Sequence, residues 1–153
     1  MSVELSIPAI QIGLVTNDYP AMARFYGEVL GFSEDPPVSL PGLTTYKYRC
    51  GDSVIKIVSL DVQVEQAPPV DAAETIFRST GYRYMTIPVR NLDEILTACV
   101  TADVRVITPK TEVQPGVYVC LLQDPDGNCV ELKEENMKEK KMLRLLQMRL
   151  WAV

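Results

Sequence analysis

Apolar residues near the start of the chain change from the spacing of a strand to the spacing of a helix. The segment Gln11–Thr16 is predicted to be a strand, and Asn17 and Asp18 follow as candidates for a helix N-cap, with Pro20 in the first turn. The helical face consists of Met22, Phe25, Tyr26, Val29 and Leu30. Gly31 ends the predicted helix, so the chain opens with a strand followed by a helix.

Three extended segments follow this helix. The first begins at Phe32 and is interrupted at Pro36-Pro37 and again at Pro41-Gly42. The others are predicted at 44–49 and 53–60, joined by a turn at Gly51-Asp52. The order of elements in the first part of the chain is therefore βαβββ.

The second half of the chain repeats this order. A strand is predicted at Tyr84–Val89 and a cap at Asn91, and further strands at 104–107, 116–122 and 128–133. The helical stripe between them consists of Leu92, Ile95, Leu96, Cys99 and Val100. The halves are offset by 73 residues, as from Gln11 to Tyr84, and the capping and helical positions keep this offset. We infer an internal duplication.

The predicted organisation is one domain over residues 1–153. Module 1 covers about 7–60, a linker covers 61–80 with a short helix near 72–77, and module 2 covers about 81–133. The tail, 134–153, is predicted to be helical and to pack on the domain or on a second copy, with a basic amphipathic surface anchor as the alternative.

Composition narrows the function mainly by exclusion. The chain has 47% hydrophobic and 23% charged residues, which is ordinary for a globular domain. A net charge of −5 gives no reason to expect nucleic-acid binding. No apolar run approaches the roughly 18 residues that span a bilayer, and the N-terminus lacks the features of a signal peptide. We expect a cytoplasmic protein with neither nucleic acid nor membrane as a partner.

The chain contains no histidine, and its four cysteines are widely spaced. They are Cys50, Cys99, Cys120 and Cys129. Without histidine, neither a Cys–His nucleophile nor a Ser–His–Asp triad can be built. Free, buried cysteines in a reducing compartment are the favoured interpretation.

Two segments together resemble one known family. The opening segment is IGLVTNDYPAMARFYGEVLGF and the closing segment is LLQDPDGNCVELKE. They resemble the first strand and helix, and the last strand, of the vicinal oxygen chelate superfamily, which includes glyoxalases, bleomycin-resistance proteins and extradiol dioxygenases. With the duplication, the resemblance covers about residues 8–133. It implies an α+β fold in which two tandem βαβββ modules form a half-barrel cleft, here with an added C-terminal helix, and it implies a small-molecule ligand or substrate.

The resemblance also locates the family's metal ligands. That family holds a divalent metal with four inward side chains, one from the first and one from the fourth strand of each module. The corresponding residues are Gln11, Lys56, Tyr84 and Glu131. An ammonium has no lone pair for a cation, and a neutral tyrosine is a poor ligand at pH 7. We therefore expect neither a metal nor another cofactor.

Two functions are compatible with this altered site. In the first, Glu131 is a general base, and Lys56 and Tyr84 donate hydrogen bonds to an oxyanion. This chemistry suits a metal-independent isomerase, epimerase, lyase or cyclase that acts beside a carbonyl. Lys56 and Glu131 are predicted to lie within salt-bridge distance, and a purely structural ion pair is the alternative interpretation.

In the second, the protein sequesters a drug or metabolite without chemistry, as the bleomycin-resistance proteins do. Tyrosines on the strands are candidates for aromatic walls, although ordinary packing also explains them. The candidate ligand-binding residues are Gln11, Gly13, Tyr46, Tyr48, Thr86, Tyr118 and Cys129. We also expect a homodimer, because the tail adds apolar residues to those of the modules.

Overall fold

The computed structural model describes residues 3–136, and the chain divides into two compact units between Pro68 and Pro69. The first unit contains α1 (Tyr19–Ala23), a π-helix (Arg24–Val29) and four strands. The strands are β1 (Gln11–Thr16), β2 (Ser33–Leu40), β3 (Leu43–Cys50) and β4 (Ser53–Leu60). They form one sheet in the order β1-β4-β3-β2, in which β1 runs parallel to β4 and the other pairs are antiparallel.

The second unit repeats this arrangement. It contains α2 (Ala73–Ile76), α3 (Leu92–Thr101) and the strands β5 (Tyr84–Val89), β6 (Val106–Gln114), β7 (Val117–Gln123) and β8 (Cys129–Glu135). The sheet order is β5-β8-β7-β6, with β5 parallel to β8. The predicted α+β class with two βαβββ modules is therefore confirmed.

The helix of the first unit begins as predicted but changes its winding. The carboxylate of Asp18 accepts a hydrogen bond from the backbone N–H of Ala21 at 3.0 Å, which satisfies one free N–H of the first turn. From Arg24 the chain winds as a π-helix, in which the N–H of Leu30 bonds to the carbonyl of Phe25 at 3.0 Å. The predicted helical stripe is thus divided between two types of helix.

Strands β2 and β6 differ from their predicted extents. β2 continues through Pro36-Pro37, because a register shift between Asp35 and Val38 removes both prolines, which have no N–H, from the ladder. The strand predicted at 104–107 is found at Val106–Gln114. β6 is an edge strand with several register shifts, and an edge strand tolerates Pro109.

The predicted linker is divided between the units. Asn17 holds residue Val64 in the first unit, since its side chain donates to the carbonyl of Val64 at 2.8 Å and accepts from its N–H at 3.0 Å. Val70 belongs to the second unit, where its N–H bonds to the carbonyl of Gly127 at 2.8 Å. The side chain of Gln123 donates to the carbonyl of Val70 at 2.6 Å.

The start of helix α3 and the end of strand β8 meet in the second unit. Asn91 occupies the N-cap position, but its side chain donates to Glu94 at 3.0 Å and does not cap the backbone. The carboxylate of Glu134 accepts from the N–H of Leu92 at 3.2 Å in its place. Glu134 and Glu135 therefore belong to β8 and not to a helical tail. The rest of the predicted tail lies outside the described residues.

Each sheet buries one face under one helix of its unit. In the first unit α1 packs on β4, where Ile55 and Ile57 are buried, and in the second unit α3 packs on β8, where Val130 and Leu132 are buried. Within residues 3–136 no helix is long and apolar enough to cross a bilayer.

Candidate functional site

Lys56 and Glu131 occupy corresponding positions in the two units. Lys56 on β4 is the register partner of Gly13 on β1, and Glu131 on β8 is the register partner of Thr86 on β5. Gly13 and Thr86 are separated by 73 residues, which is the offset of the sequence repeat. Because side chains alternate along a strand, Lys56 lies on the sheet face turned away from α1, and Glu131 lies on the sheet face turned away from α3. We call each of these the open face of its unit.

The open face of the first unit carries Gln11, Gly13 and Lys56 together. Lys56 is half-buried, whereas Gln11 and Gly13 on the neighbouring strand are exposed. A Cβ atom added at Gly13 would meet no atom within 4 Å, so there is free space beside the Lys56 side chain. These three predicted site residues are therefore neighbours.

Sequence reasoning missed Lys47, which lies directly opposite Lys56 on β3. A two-residue turn at Gly51-Asp52 joins β3 to β4 and pairs each residue of β3 with a residue of opposite parity on β4. Odd-numbered Lys47 therefore shares a face with even-numbered Lys56. The parity of this hairpin was the signal in the sequence that identifies it.

The open face of the second unit brings Thr86 to Glu131. The Thr86 hydroxyl donates a hydrogen bond to Oε1 of the half-buried Glu131 at 2.8 Å. Within residues 3–136, Oε2 of Glu131 has no hydrogen-bond donor. One carboxylate oxygen is thus held in place while the other is available to a ligand.

Tyr84 and Cys129 are register partners on the same face but differ in accessibility. The Tyr84 side chain is 45% exposed, and its ring meets that of Phe77 edge to face with centroids 6.4 Å apart. Cys129 is 2% exposed and packs with Val70 and Ile76. Burial, with smaller contributions from the charges of Glu131 and Asp124, raises the pKa of the Cys129 thiol to about 11. Cys129 is thus a covered, protonated thiol.

Three predicted ligand-binding tyrosines lie on the sheet faces that α1 and α3 cover, opposite the open faces. Tyr46 pairs with Ile57 and stacks on Tyr19 with centroids 3.4 Å apart. Tyr48 is 1% exposed, and its hydroxyl donates to Glu34 at 3.1 Å.

The third of these tyrosines, Tyr118, lies in the second unit. It pairs with Glu134, and the Lys110 ammonium lies 5.0 Å from the centre of its ring. The structure therefore does not bring Tyr46 or Tyr48 together with Lys56, or Tyr118 together with Glu131. The reason is again the parity of the hairpins, which places these tyrosines on the face opposite the charged residues.

The repeated βαβββ unit, with a charged residue at the same position of each fourth strand, defines a glyoxalase-like protein. Residues 9–132 match the model of the Glyoxalase/Bleomycin resistance protein/Dioxygenase superfamily. The chain therefore belongs to this superfamily, as its two motif segments predicted. No curated protein matches the sequence significantly.

Solved structures share the fold at low sequence identity. A glyoxalase family protein from Bacillus cereus has a TM-score of 0.70 at 13% identity, and the match covers 88% of this chain and 99% of that one. The trypanothione-dependent glyoxalase I of Leishmania major has a TM-score of 0.63 at 18% identity, with 93% and 94% covered. A glyoxalase family protein from Enterococcus faecalis has a TM-score of 0.58 at 22% identity, with 86% and 97% covered. At these identities the likeness shows the fold alone.

The residues present do not fit the divalent metal that the superfamily implies. Protonated Lys56 repels a cation and offers no lone pair, and Tyr84 binds a metal well only after losing its proton. Gln11 and Glu131 alone supply suitable oxygen atoms. Within residues 3–136, no group of three or more His, Cys, Asp or Glu side chains is placed to hold a metal ion. The predicted ion pair of Lys56 with Glu131 stays a prediction.

Proposed function

We propose that this protein binds a small carbonyl compound and moves a proton beside the carbonyl without a metal, as an isomerase, epimerase, lyase or cyclase. The observation that carries the proposal is the hydrogen bonding of the Glu131 carboxylate. Its Oε1 is held by the Thr86 hydroxyl at 2.8 Å, while Oε2 has no donor among the described residues. A carboxylate oriented by one oxygen and open at the other is suited to take a proton from carbon.

Glu131 is the general base in this proposal. It removes the proton from the carbon next to the carbonyl and returns it to the same carbon or to a neighbouring one. Lys56 and Tyr84 donate hydrogen bonds to the oxygen that becomes negatively charged. Lys56 and Tyr84 are assigned these roles because they occupy positions on the first and fourth strands at which members of the superfamily carry the ligands of one metal ion. In this proposal the positive charge of the Lys56 ammonium replaces the stabilising charge of that metal.

The alternative is stoichiometric sequestration of a drug or metabolite. That function needs apolar walls for a flat ligand, and the tyrosines considered for this role face the helices: Tyr46, Tyr48 and Tyr118. On the open face of the second unit, Tyr84 with Phe77 offers one exposed aromatic pair. The support for sequestration is therefore weaker than the support for acid–base chemistry.

The test is proton exchange between substrate carbon and solvent. The protein is incubated in D2O with a panel of 2-oxo acids and 1,3-dicarbonyl compounds, and deuterium incorporation is followed by proton NMR. We expect enhanced exchange in at least one compound, and Glu131→Gln should lower it by about 10²–10⁴-fold. Lys110→Met, which removes a lysine paired with Asp93, is the control. Saturable binding of a compound with no exchange would favour sequestration instead.

A further inference from the structure

Two lysines face each other on the open face of the first unit. Lys47 on β3 and Lys56 on β4 are register partners of an antiparallel pair, and both are half-buried. Residues directly opposite in such a pair have Cβ atoms about 4.5–5.5 Å apart, and like charges at that position destabilise the sheet. The placement of two like charges at directly opposite positions therefore needs an explanation.

Among residues 3–68 of the first unit, neither ammonium has a carboxylate partner. The nearest acidic residue along the ladder is Asp35, which is the register partner of Lys47. Both of its oxygens are engaged by Arg49, through Nε to Oδ1 at 3.0 Å and Nη2 to Oδ2 at 2.7 Å. Glu34 accepts hydrogen bonds from two tyrosine hydroxyls on the other face.

Open space lies beside Lys56, one member of this pair. Gly13 flanks Lys56 on the side away from Lys47, and an added Cβ there would meet nothing within 4 Å. An ammonium group offers three donors and no acceptor, so lysines at two directly opposite positions can together donate to the several acceptor oxygens of a carboxylate or phosphate.

We propose that Lys47 and Lys56 form an anion-binding site that holds a carboxylate or phosphate group of the ligand. If the protein acts on a carbonyl compound as proposed above, this site restricts the substrate to carbonyl compounds that carry an anionic group. This restriction of the substrate rests on the proposed function. Lys47 is a binding residue in this arrangement. The bound oxyanion removes the repulsion between the lysines, so the sheet is more stable with the anion than without it.

The test uses inorganic phosphate and acetate as separate probes of the 153-residue protein. Lysine side chains are labelled by reductive ¹³C-methylation, and ionic strength is held constant with chloride. Saturable shifts are expected at Lys47 and Lys56 with at least one probe, and the preferred probe identifies phosphate or carboxylate as the favoured group. Lys47→Met and Lys56→Met should each weaken binding about tenfold or more. The control Lys110→Met removes a lysine that is paired with Asp93 in the second unit and should leave binding unchanged.

A second measurement guards against misfolding of the variants. Thermal unfolding should show that Lys47→Met is at least as stable as the wild type without phosphate, because the like-charge pair is gone, and that phosphate no longer raises its melting temperature. Equal phosphate titrations for the wild type and Lys47→Met, or shifts that chloride alone reproduces, would overturn the inference. Proton exchange is scored separately: phosphate binding without exchange contradicts only the proposed function, and exchange without anion binding contradicts only this inference.

Discussion

Thr86 and Glu131 are register partners on neighbouring parallel strands, and the Thr86 hydroxyl donates to the Glu131 carboxylate at 2.8 Å. Parallel pairing of β5 with β8 brings the two side chains to the same face of the sheet. A residue on the first strand of the second unit can therefore orient a residue on the last strand of that unit. This contact is the structural basis of the base role proposed for Glu131.

The first prediction concerns this hydrogen bond. Thr86→Val keeps the shape of the side chain but removes the donor, so the carboxylate loses its fixed orientation. We expect the exchange rate to fall about tenfold, in line with the loss of one hydrogen bond to a charged group. Thr86→Ser retains a hydroxyl and should recover most of the rate. Equal rates for the valine and serine variants would show that the contact does not position the base.

The second prediction concerns alkaline pH and Cys129. Burial raises the pKa of this thiol from 9.0 to about 11. Above pH 9 the unfolded chain loses the proton that the folded chain still holds, so the folded state loses stability as the pH rises from about 9 toward 11. The slope from one thiol is at most about 1.4 kcal/mol per pH unit. Urea unfolding of Cys129→Ala should show a smaller decline over this interval than the wild type, and parallel pH profiles would contradict the assignment.

The third prediction concerns Gly27 in the π-helix. A Cβ at this position would lie 3.2 Å from Cε1 of Tyr48, whose hydroxyl is anchored to Glu34 and Tyr19. These bonds resist the shift of a few tenths of an ångström that the ring would have to make, so Gly27→Ala should lower the free energy of unfolding by about 1–3 kcal/mol relative to Gly13→Ala. Gly13→Ala is the control, because its Cβ meets nothing, and it should be close to neutral. Chemical denaturation of both variants measures the difference.

The fourth prediction concerns how Pro69 docks against the turn before β8. A Cβ at Gly127 would lie 2.6 Å from Cβ of Pro69, and Gly127 also has a φ of +88°. Gly81 has a φ of +102° with no atom near its added Cβ, so Gly81→Ala measures backbone strain alone. Strain costs about 1–2 kcal/mol per residue. Gly127→Ala should destabilise the protein clearly more than Gly81→Ala does, and equal losses would show that the Pro69 contact is unimportant.

The fifth prediction concerns assembly. Apolar side chains are exposed in the first unit, including Val15 at 54% and Leu40 at 59%. Because a monomer rarely leaves large apolar patches uncovered, we expect a homodimer at micromolar concentration. Light scattering gives the mass directly, and a monomer mass would contradict the expectation. Deletion of residues 137–153 tests whether the tail contributes to the dimer.

The alternation of apolar and polar residues predicted several elements correctly. The bounds of β4 and β5 were predicted to the residue, because an interior strand and a parallel strand each carry a clear apolar pattern. β6 was placed incorrectly since its polar, proline-containing segment resembles a loop, and its strand conformation depends on pairing with β7. The π-helical turn at Arg24–Val29 was also missed, because apolar spacing does not distinguish i+4 from i+5 hydrogen bonds.

By itself the sequence predicted the repeated βαβββ order, from local periodicity and the 73-residue offset. Its two motif segments predicted the family and, through that resemblance, the positions of Lys56 and Glu131 on the fourth strands. The tertiary structure decided which side chains share a face with them. Hairpin register placed Lys47 beside Lys56 and turned Tyr46 toward the helix, and docking of Val70 and Ile76 covered Cys129. The β3–β4 register follows from a two-residue turn, so its parity was present in the sequence once the turn length was known. Docking depends on contacts between residues far apart in the chain, which short-range patterns do not encode.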